Sequence, residues 1–139
     1  MKRELRIRSS LSQLKEVHSF LEEILHDAKI SSARSGYINL SVCESVNNAI
    51  SHGNKHDAEK YVTISACLSQ NTLTVEVMDE GVGFDFRKLP DPTSKEKIKS
   101  EGGRGLFIIH NLVDQVSFKN NGTIIQLKFK LNREHQFLL

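Results

Sequence analysis

Two pairs of alternating apolar segments, each joined by a short turn, constrain the fold of this 139-residue chain most. In the first pair, apolar residues occupy every second position over 62–68 and again over 73–77. In the second pair, Asn120-Asn121-Gly122 separates strands predicted at 115–119 and 123–131, and an Asn-Gly turn is typical of a β-hairpin. Because each hairpin pairs antiparallel strands, the chain is expected to contain a mostly antiparallel sheet.

Helical spacing of apolar residues predicts the elements that cover this sheet. After a first strand predicted at 3–8, one helix is indicated by an apolar stripe of Leu14, Val17, Leu21, Ile24 and Leu25. A second helix begins near Ser31, and its predicted packing surface comprises Tyr37, Leu40, Val42, Val46, Ala49 and Ile50. A third is predicted from about 104 to 113. The expected fold class is α+β: a two-layer sandwich with a mixed, mostly antiparallel sheet and helices on one face, in a single domain spanning 1–139.

Composition excludes several classes of protein. The chain is 38% hydrophobic and 26% charged, as ordinary globular domains are, and its net charge of +2 gives no argument for direct nucleic-acid binding. No apolar run approaches the roughly 20 residues that cross a bilayer, and the charged start is unlike a signal peptide. Cys43 and Cys67 form no CxxC pair, so we expect structural thiols in a reducing compartment, the cytoplasm.

A polar stripe within the second helix holds the first candidate site residues. Glu44 and Asn48 are four positions apart and therefore share one helical face. The amide oxygen of Asn48 is a suitable ligand for Mg²⁺, and the carboxylate of Glu44 could act as a general base. An ordinary solvated helix face is the alternative, but the apolar residues around the stripe favour a site, since buried polar groups need partners.

A carboxylate and two glycines follow the strand at 73–77. Asp79 could accept a hydrogen bond from an exocyclic amino group such as that of adenine, and Gly81 and Gly83 would let a ligand approach the main chain. A plain turn after a strand would explain these residues equally well.

Gly103, Arg104 and Gly105 precede the third predicted helix. Free backbone N–H groups at a helix start and the Arg104 guanidinium could hold a polyphosphate, although a flexible loop end is about as good an interpretation for the glycines alone. The preceding stretch, from about 86 to 102, has no periodic pattern, and an unstructured segment of this length is often a lid.

The order of these motifs resembles that of the Bergerat-fold (GHKL) ATPases, and most of all the bacterial anti-sigma factor serine/threonine protein kinases. The segment from Glu44 to Gly53 resembles their N-box, E-x-x-x-N-A-x-x-H. Asp79 to Phe84 resembles their D-E-G-x-G-F box, and 103–106 resembles their second glycine box. Gly122-Thr123 resembles the G-T that begins a late strand.

The resemblance implies a role for each matching position. Asn48 would hold Mg²⁺, Glu44 would be the catalytic base, and Asp79 would bind the adenine amino group with help from Thr123. Gly81 and Gly83 would shape the nucleotide wall, whereas Gly103, Arg104 and Gly105 would meet the phosphates of ATP. The implied partners are a sigma factor and an anti-anti-sigma protein of the STAS type, with no direct nucleic-acid or membrane contact, and a homodimer is possible.

One departure from the family pattern keeps a second function open. Some kinase-active relatives carry a basic residue just ahead of the second glycine box, where this chain has Ser100-Glu101-Gly102. Arg104 or a lysine of the 86–102 segment would have to replace it. The alternative is a nucleotide-sensing switch that binds a partner without phosphorylating it.

Overall fold

A five-stranded antiparallel sheet forms the centre of the computed structural model, which describes residues 1–88, 109 and 111–131. Its strands are β1 (Lys2–Arg8), β2 (Tyr61–Ser69), β3 (Thr72–Met78), β4 (Gln115–Lys119) and β5 (Ile124–Lys130). Their order across the sheet is β1-β2-β3-β5-β4, and every neighbouring pair is antiparallel. Both predicted hairpins are confirmed: β2 pairs with β3 and β4 pairs with β5.

Two long helices connect β1 to β2. They are α1 (Leu14–Asp27) and α2 (Ser32–Asn48), and a wide π-type turn, Ala49–Gly53, extends α2. The Ser31 side chain caps α2 by accepting a hydrogen bond from the Arg34 backbone N–H at 3.3 Å. The predicted stripe of α1 is confirmed, because its buried residues are Val17, Leu21, Ile24 and Leu25.

The core lies between the helices and one face of the sheet. Alternate strand residues point into it because side chains change face at every position along a strand. The largest buried side chains include Leu21, Ile38, Ile50, Ile64, Leu73, Leu127 and Phe129. The opposite face is polar: the Arg6 guanidinium stacks 3.7 Å from the Tyr61 ring centroid, and Lys119 pairs with Glu76 at 2.9 Å. The described residues thus form the two-layer α+β arrangement predicted.

The predicted packing surface of α2 is wrong at two positions. Tyr37 is 51% exposed and Leu40 is 44% exposed, whereas Ile38, Ser41 and Ser45 are buried. The buried serines satisfy their hydroxyls locally, since Ser41 donates to the Tyr37 carbonyl at 2.8 Å and Ser45 to the Ser41 carbonyl at 3.0 Å. Serine can therefore face the core without a partner from another element.

Part of the sequence-based prediction lies outside the described residues. Of the helix predicted at 104–113, Ile109 and residues 111 and 112 are helical, and the Val113 N–H donates to the Ile109 carbonyl at 3.0 Å. Of the segment at 86–102, the structure describes one short turn, Phe86–Lys88.

Cys43 is half-buried, which raises the pKa of its thiol, and Cys67 is exposed. In the described part of the chain, no helix has both the length and the apolar composition needed to cross a membrane.

Candidate functional site

The C-terminal part of α2 carries two polar side chains that have no hydrogen-bond partner among the described residues. Glu44 and Asn48 lie four residues apart, both half-buried, and Asn48 is the last residue of α2. Within 1–88, 109 and 111–131, neither side chain makes a hydrogen bond or an ion pair. The neighbouring Asn47 differs, because its side-chain oxygen accepts a hydrogen bond from the Ser51 hydroxyl at 3.3 Å. Glu44 and Asn48 are therefore the groups on this face whose oxygens remain available to a ligand.

The wide turn after Asn48 brings Gly53 against Asp79. In this turn the Asn54 N–H donates to the Ala49 carbonyl at 2.8 Å, one residue further back than in an α-helix. A Cβ added to Gly53 would lie 2.5 Å from Asp79 Cγ, so only glycine permits this approach. The structure thus joins the end of the helix that carries Glu44 and Asn48 to the acid after β3.

Asp79 is held by its own loop and by the residue that precedes β5. Its Oδ1 accepts a hydrogen bond from the Gly81 N–H at 2.8 Å, and its backbone N–H donates to the Thr123 carbonyl at 2.9 Å. Partial burial raises the pKa of the Asp79 carboxyl, although the Gly81 N–H and the positive charge of Lys60 act in the opposite direction. The result is a fixed, partly desolvated carboxylate, a group suited to accepting a hydrogen bond from a ligand amino group.

Gly81 and Gly83 make the two closest backbone approaches of this loop. A Cβ on Gly81 would collide with the Gly53 carbonyl. Gly83 has φ +80°, and a Cβ there would lie 3.1 Å from the Asn121 carbonyl carbon and still closer to its oxygen. The next residue, Phe84, donates its N–H to the same Asn121 carbonyl at 2.7 Å. The loop is therefore packed between the end of α2 and the β4–β5 turn.

Thr123 reaches this region through its main chain. Its carbonyl accepts the Asp79 N–H, but its hydroxyl donates to the Asn120 carbonyl at 2.8 Å and lies 3.0 Å from Asn120 Nδ2. The side chain is thus engaged in its own turn. The structure places the Thr123 carbonyl beside Asp79 and bonds its hydroxyl within the turn before β5.

Three phenylalanines fix the chain beyond Gly83. Phe84 packs edge-on against Phe118 with ring centroids 5.3 Å apart, and Phe86 stacks on Phe118 at 5.7 Å. Phe118 belongs to the edge strand β4. This cluster ties the start of the 86–102 segment to the sheet beside the candidate site.

The predicted phosphate-binding residues Gly103, Arg104 and Gly105 lie outside the described residues. A magnesium ion can be tested against the donors that are described. No group of three or more His, Cys, Asp or Glu side chains that could hold a metal ion occurs among them. Mg²⁺ commonly uses one or two protein oxygens together with substrate phosphates and water, and the unpaired amide of Asn48 fits that pattern.

Sequence reasoning missed Asn54, which it treated only as the end of a helix. Asn54 is 1% exposed, and its side chain hydrogen-bonds to three separate parts of the chain, among them the Glu80 N–H at 2.7 Å. No periodicity indicates this role, because two of the three contacts are to residues 45 and 26 positions away in the sequence.

Known proteins match this chain over most of its length. Residues 7–129 match the family described as "Histidine kinase-like ATPase domain". The anti-sigma F factor of Clostridium perfringens (strain SM101 / Type A) is 34% identical over 101 residues, which cover 68% of this chain and 71% of that protein. The serine-protein kinase RsbW of Bacillus subtilis (strain 168) is 34% identical over 104 residues, covering 70% of this chain and 65% of that kinase.

A solved structure supports the same fold. The crystal structure of the RsbU and RsbW domains of Rv1364c from Mycobacterium tuberculosis superposes with a TM-score of 0.64 at 14% identity. The match covers 93% of this chain and 31% of the mycobacterial chain, so this likeness concerns the fold alone. Family match and relatives together show that the chain belongs to the histidine kinase-like ATPase (GHKL) superfamily, in the family that contains the bacterial anti-sigma F factors.

Proposed function

We propose that this protein is an ATP-dependent anti-sigma regulatory factor with protein kinase activity. In this proposal it binds a sigma factor, and it transfers the γ-phosphoryl group of ATP to a serine or threonine of an anti-anti-sigma protein of the STAS type. The names of its relatives, anti-sigma F factor and serine-protein kinase, support both halves. We place it in the cytoplasm, as one domain that could act as a homodimer.

The contact between Gly53 and Asp79 carries the proposal. It connects the helix bearing Glu44 and Asn48 to the fixed carboxylate, although Gly53 and Asp79 are distant in the sequence. ATP has a base with an exocyclic amino group at one end and a magnesium-binding polyphosphate at the other. Asp79 supplies an acceptor for the amino group, and the helix face supplies oxygens for the other end.

Each remaining site residue then has a proposed role. Asn48 would hold Mg²⁺, which neutralises the negative charge of the phosphates when it is bound. Gly81 and Gly83 would form the wall beside the nucleotide, and Thr123 would support Asp79. Gly103, Arg104 and Gly105 would bind the phosphates through backbone N–H groups and the guanidinium.

Glu44 would act as the general base. Its carboxylate would accept the proton of the serine or threonine hydroxyl as that oxygen forms a bond to the γ-phosphorus. The bond between the γ-phosphorus and the β–γ bridging oxygen breaks at the same time, and ADP leaves. Such a reaction depends mainly on positioning and charge neutralisation, so a small set of groups suffices.

The test is phosphoryl transfer from labelled ATP, in the presence of Mg²⁺, to a candidate anti-anti-sigma protein. Glu44→Ala should bind ATP as the unmodified protein does, and its transfer rate should fall about 100-fold or more, because general-base catalysis is worth that much. Glu16→Ala, which removes an exposed acid from α1, is the matched control and should transfer normally. Full transfer by the Glu44 variant would remove Glu44 as the base.

A nucleotide-sensing switch without kinase activity is the second candidate. The acidic sequence Ser100-Glu101-Gly102 ahead of the glycines favours it, since some kinase-active relatives have a basic residue there. The same experiment separates the two functions. ATP binding with no label on serine or threonine of the partner would establish the switch.

A further inference from the structure

Asn54 is a buried amide that connects three parts of the fold. Its Nδ2 donates to the Ser9 hydroxyl oxygen at 2.7 Å and to the Tyr61 carbonyl at 2.9 Å. Its Oδ1 accepts a hydrogen bond from the Glu80 backbone N–H at 2.7 Å. These bonds link the end of β1, the start of β2 and the loop after β3.

The partners of Asn54 define which way its amide points. The Ser9 hydroxyl donates its own hydrogen to the Lys60 carbonyl at 3.0 Å, so toward Asn54 it can only accept. The Tyr61 carbonyl can only accept, and the Glu80 N–H can only donate. A flipped amide would direct its NH₂ at the Glu80 N–H and its oxygen at the Tyr61 carbonyl, and it would lose both of these bonds. The Oδ1 of Asn54 is therefore fixed on the peptide that follows Asp79.

This peptide lies next to the acid that we assign to the adenine amino group. Asn54 follows Gly53, against which the Asp79 carboxylate rests, and Glu80 follows Asp79. Asp79 is therefore positioned from two sides: Gly53 contacts its side chain, and Asn54 holds its C-terminal peptide. We infer that Asn54 is a positioning residue that sets the direction of the Asp79 carboxylate and thereby the selectivity for 6-aminopurine nucleotides, an inference that rests on the proposed function.

Binding selectivity distinguishes positioning from simple stabilisation. The probes are ATP and purine riboside triphosphate, which lacks the 6-amino group, and the readout is the ratio of their dissociation constants from calorimetric titration. A change that merely loosens the protein weakens both nucleotides and leaves the ratio unchanged. Asn54→Ala should lower the preference for ATP about tenfold, as expected for losing one well-aligned hydrogen bond.

Two further variants act as controls. Asn54→Asp keeps an oxygen for the Glu80 N–H and replaces the donating NH₂ group by a second oxygen, so it should lose stability and retain the preference. Asn39→Ala removes another buried amide, 7% exposed, whose Nδ2 donates to Glu22 at 2.9 Å in the contact between the two long helices. It should retain the preference as well.

The possible results separate this inference from the function on which it rests. A protein that binds ATP no better than purine riboside triphosphate would overturn the role of Asp79 and this inference with it. If the unmodified protein prefers ATP and the Asn54→Ala variant prefers it to the same degree, only the inference about Asn54 would be overturned. The inference would also fail if Asn54→Asp or Asn39→Ala lost the preference as strongly as Asn54→Ala.

A measurement on the unmodified protein covers the case in which Asn54→Ala does not fold. The Glu80 amide should exchange its hydrogen at least about 100-fold more slowly than in an unstructured peptide, without nucleotide, because Asn54 holds it. Nuclear magnetic resonance can follow this amide. Exchange at the rate of an unstructured peptide would show that Asn54 does not fix the loop.

Discussion

The loop after β3 and the C-terminal end of α2 lie next to each other but are built in opposite ways. The loop has its polar groups paired: Asp79 with Gly81, Glu80 with Asn54, and Phe84 with Asn121. On α2, the side chains of Glu44 and Asn48 have no such partners within the described residues. One region is fixed before any ligand arrives, and the other keeps its polar groups available.

This difference matches what each region is proposed to bind. A nucleobase is rigid, and a prearranged acceptor can select it without paying for ordering. Phosphates, a metal ion and an incoming hydroxyl change their geometry during transfer, and they need side-chain oxygens that are not already used. Substitutions should therefore act differently in the two regions.

The largest effect is expected where the two regions touch. In Gly81→Ala, the added Cβ would collide with the Gly53 carbonyl, a backbone atom that cannot move aside alone. We expect the free energy of unfolding to fall by about 2 kcal/mol and ATP affinity to fall with it. Chemical denaturation and calorimetric titration would measure these quantities.

Gly36→Ala is the matched control for this substitution. Gly36 lies within α2, and a Cβ there would have no described atom within 4 Å apart from the backbone of its own helix. Alanine should raise the free energy of unfolding by about 0.5–1 kcal/mol, since glycine is unfavourable inside a helix. Similar losses in both variants would show that the Gly81 contact is not special.

A smaller effect, limited to ligand binding, is expected for Asn48 at the end of α2. Asn48→Ala should weaken ATP binding about tenfold in the presence of Mg²⁺ and little in its absence, with stability nearly unchanged. Asn47→Ala is the control, because the Asn47 oxygen is already engaged with Ser51. Unchanged magnesium-dependent affinity in the Asn48 variant would contradict the assignment of Asn48.

The smallest effect concerns the charge of Asp79. Burial raises the pKa of its carboxyl in the folded protein, so the folded state binds this proton more tightly than the unfolded chain does. The contribution of Asp79 to stability consequently falls as pH rises through its folded-state pKa. Asp79→Asn keeps an oxygen for the Gly81 N–H, and should raise the unfolding free energy slightly at about pH 8 but not at about pH 3.

Thermal denaturation at both values would measure this difference. If Asp79→Asn instead raised the free energy of unfolding more in acid than at the higher pH, ionised Asp79 would stabilise the fold. The same variant should lose preference for ATP over purine riboside triphosphate. The Asp79→Asn protein would then be slightly more stable and less selective for ATP. This combination is expected when a residue serves binding at some cost in stability.

Local patterns predict most of the fold. Alternation located the strands, the Asn-Gly turn located the β4–β5 hairpin, and the apolar stripe of α1 matched its buried residues. The face of α2 was harder, because apolar residues occur on both sides of it. Tyr37 and Leu40 are exposed, while Ser41 and Ser45 reach the core by bonding to their own helix.

The candidate site was predictable to the extent that its residues form local motifs. Asp79, Gly81 and Gly83 stand in one short segment, and Glu44 and Asn48 are one helical turn apart. Asn54 could not be found this way. Two of its contacts, to Ser9 and Glu80, exist only after distant segments have come together, and asparagine after a helix ordinarily indicates nothing more than its end.

The contacts of Asn54 also bear on the order of folding. Two of them join residues 45 and 26 positions apart, whereas each hairpin closes through a turn of a few residues. Short-range pairings form early and long-range ones late, so the loop after β3 should acquire its final shape near the end of folding. ATP would then find no binding surface on the transition state, and it should slow the unfolding rate while leaving the refolding rate unchanged.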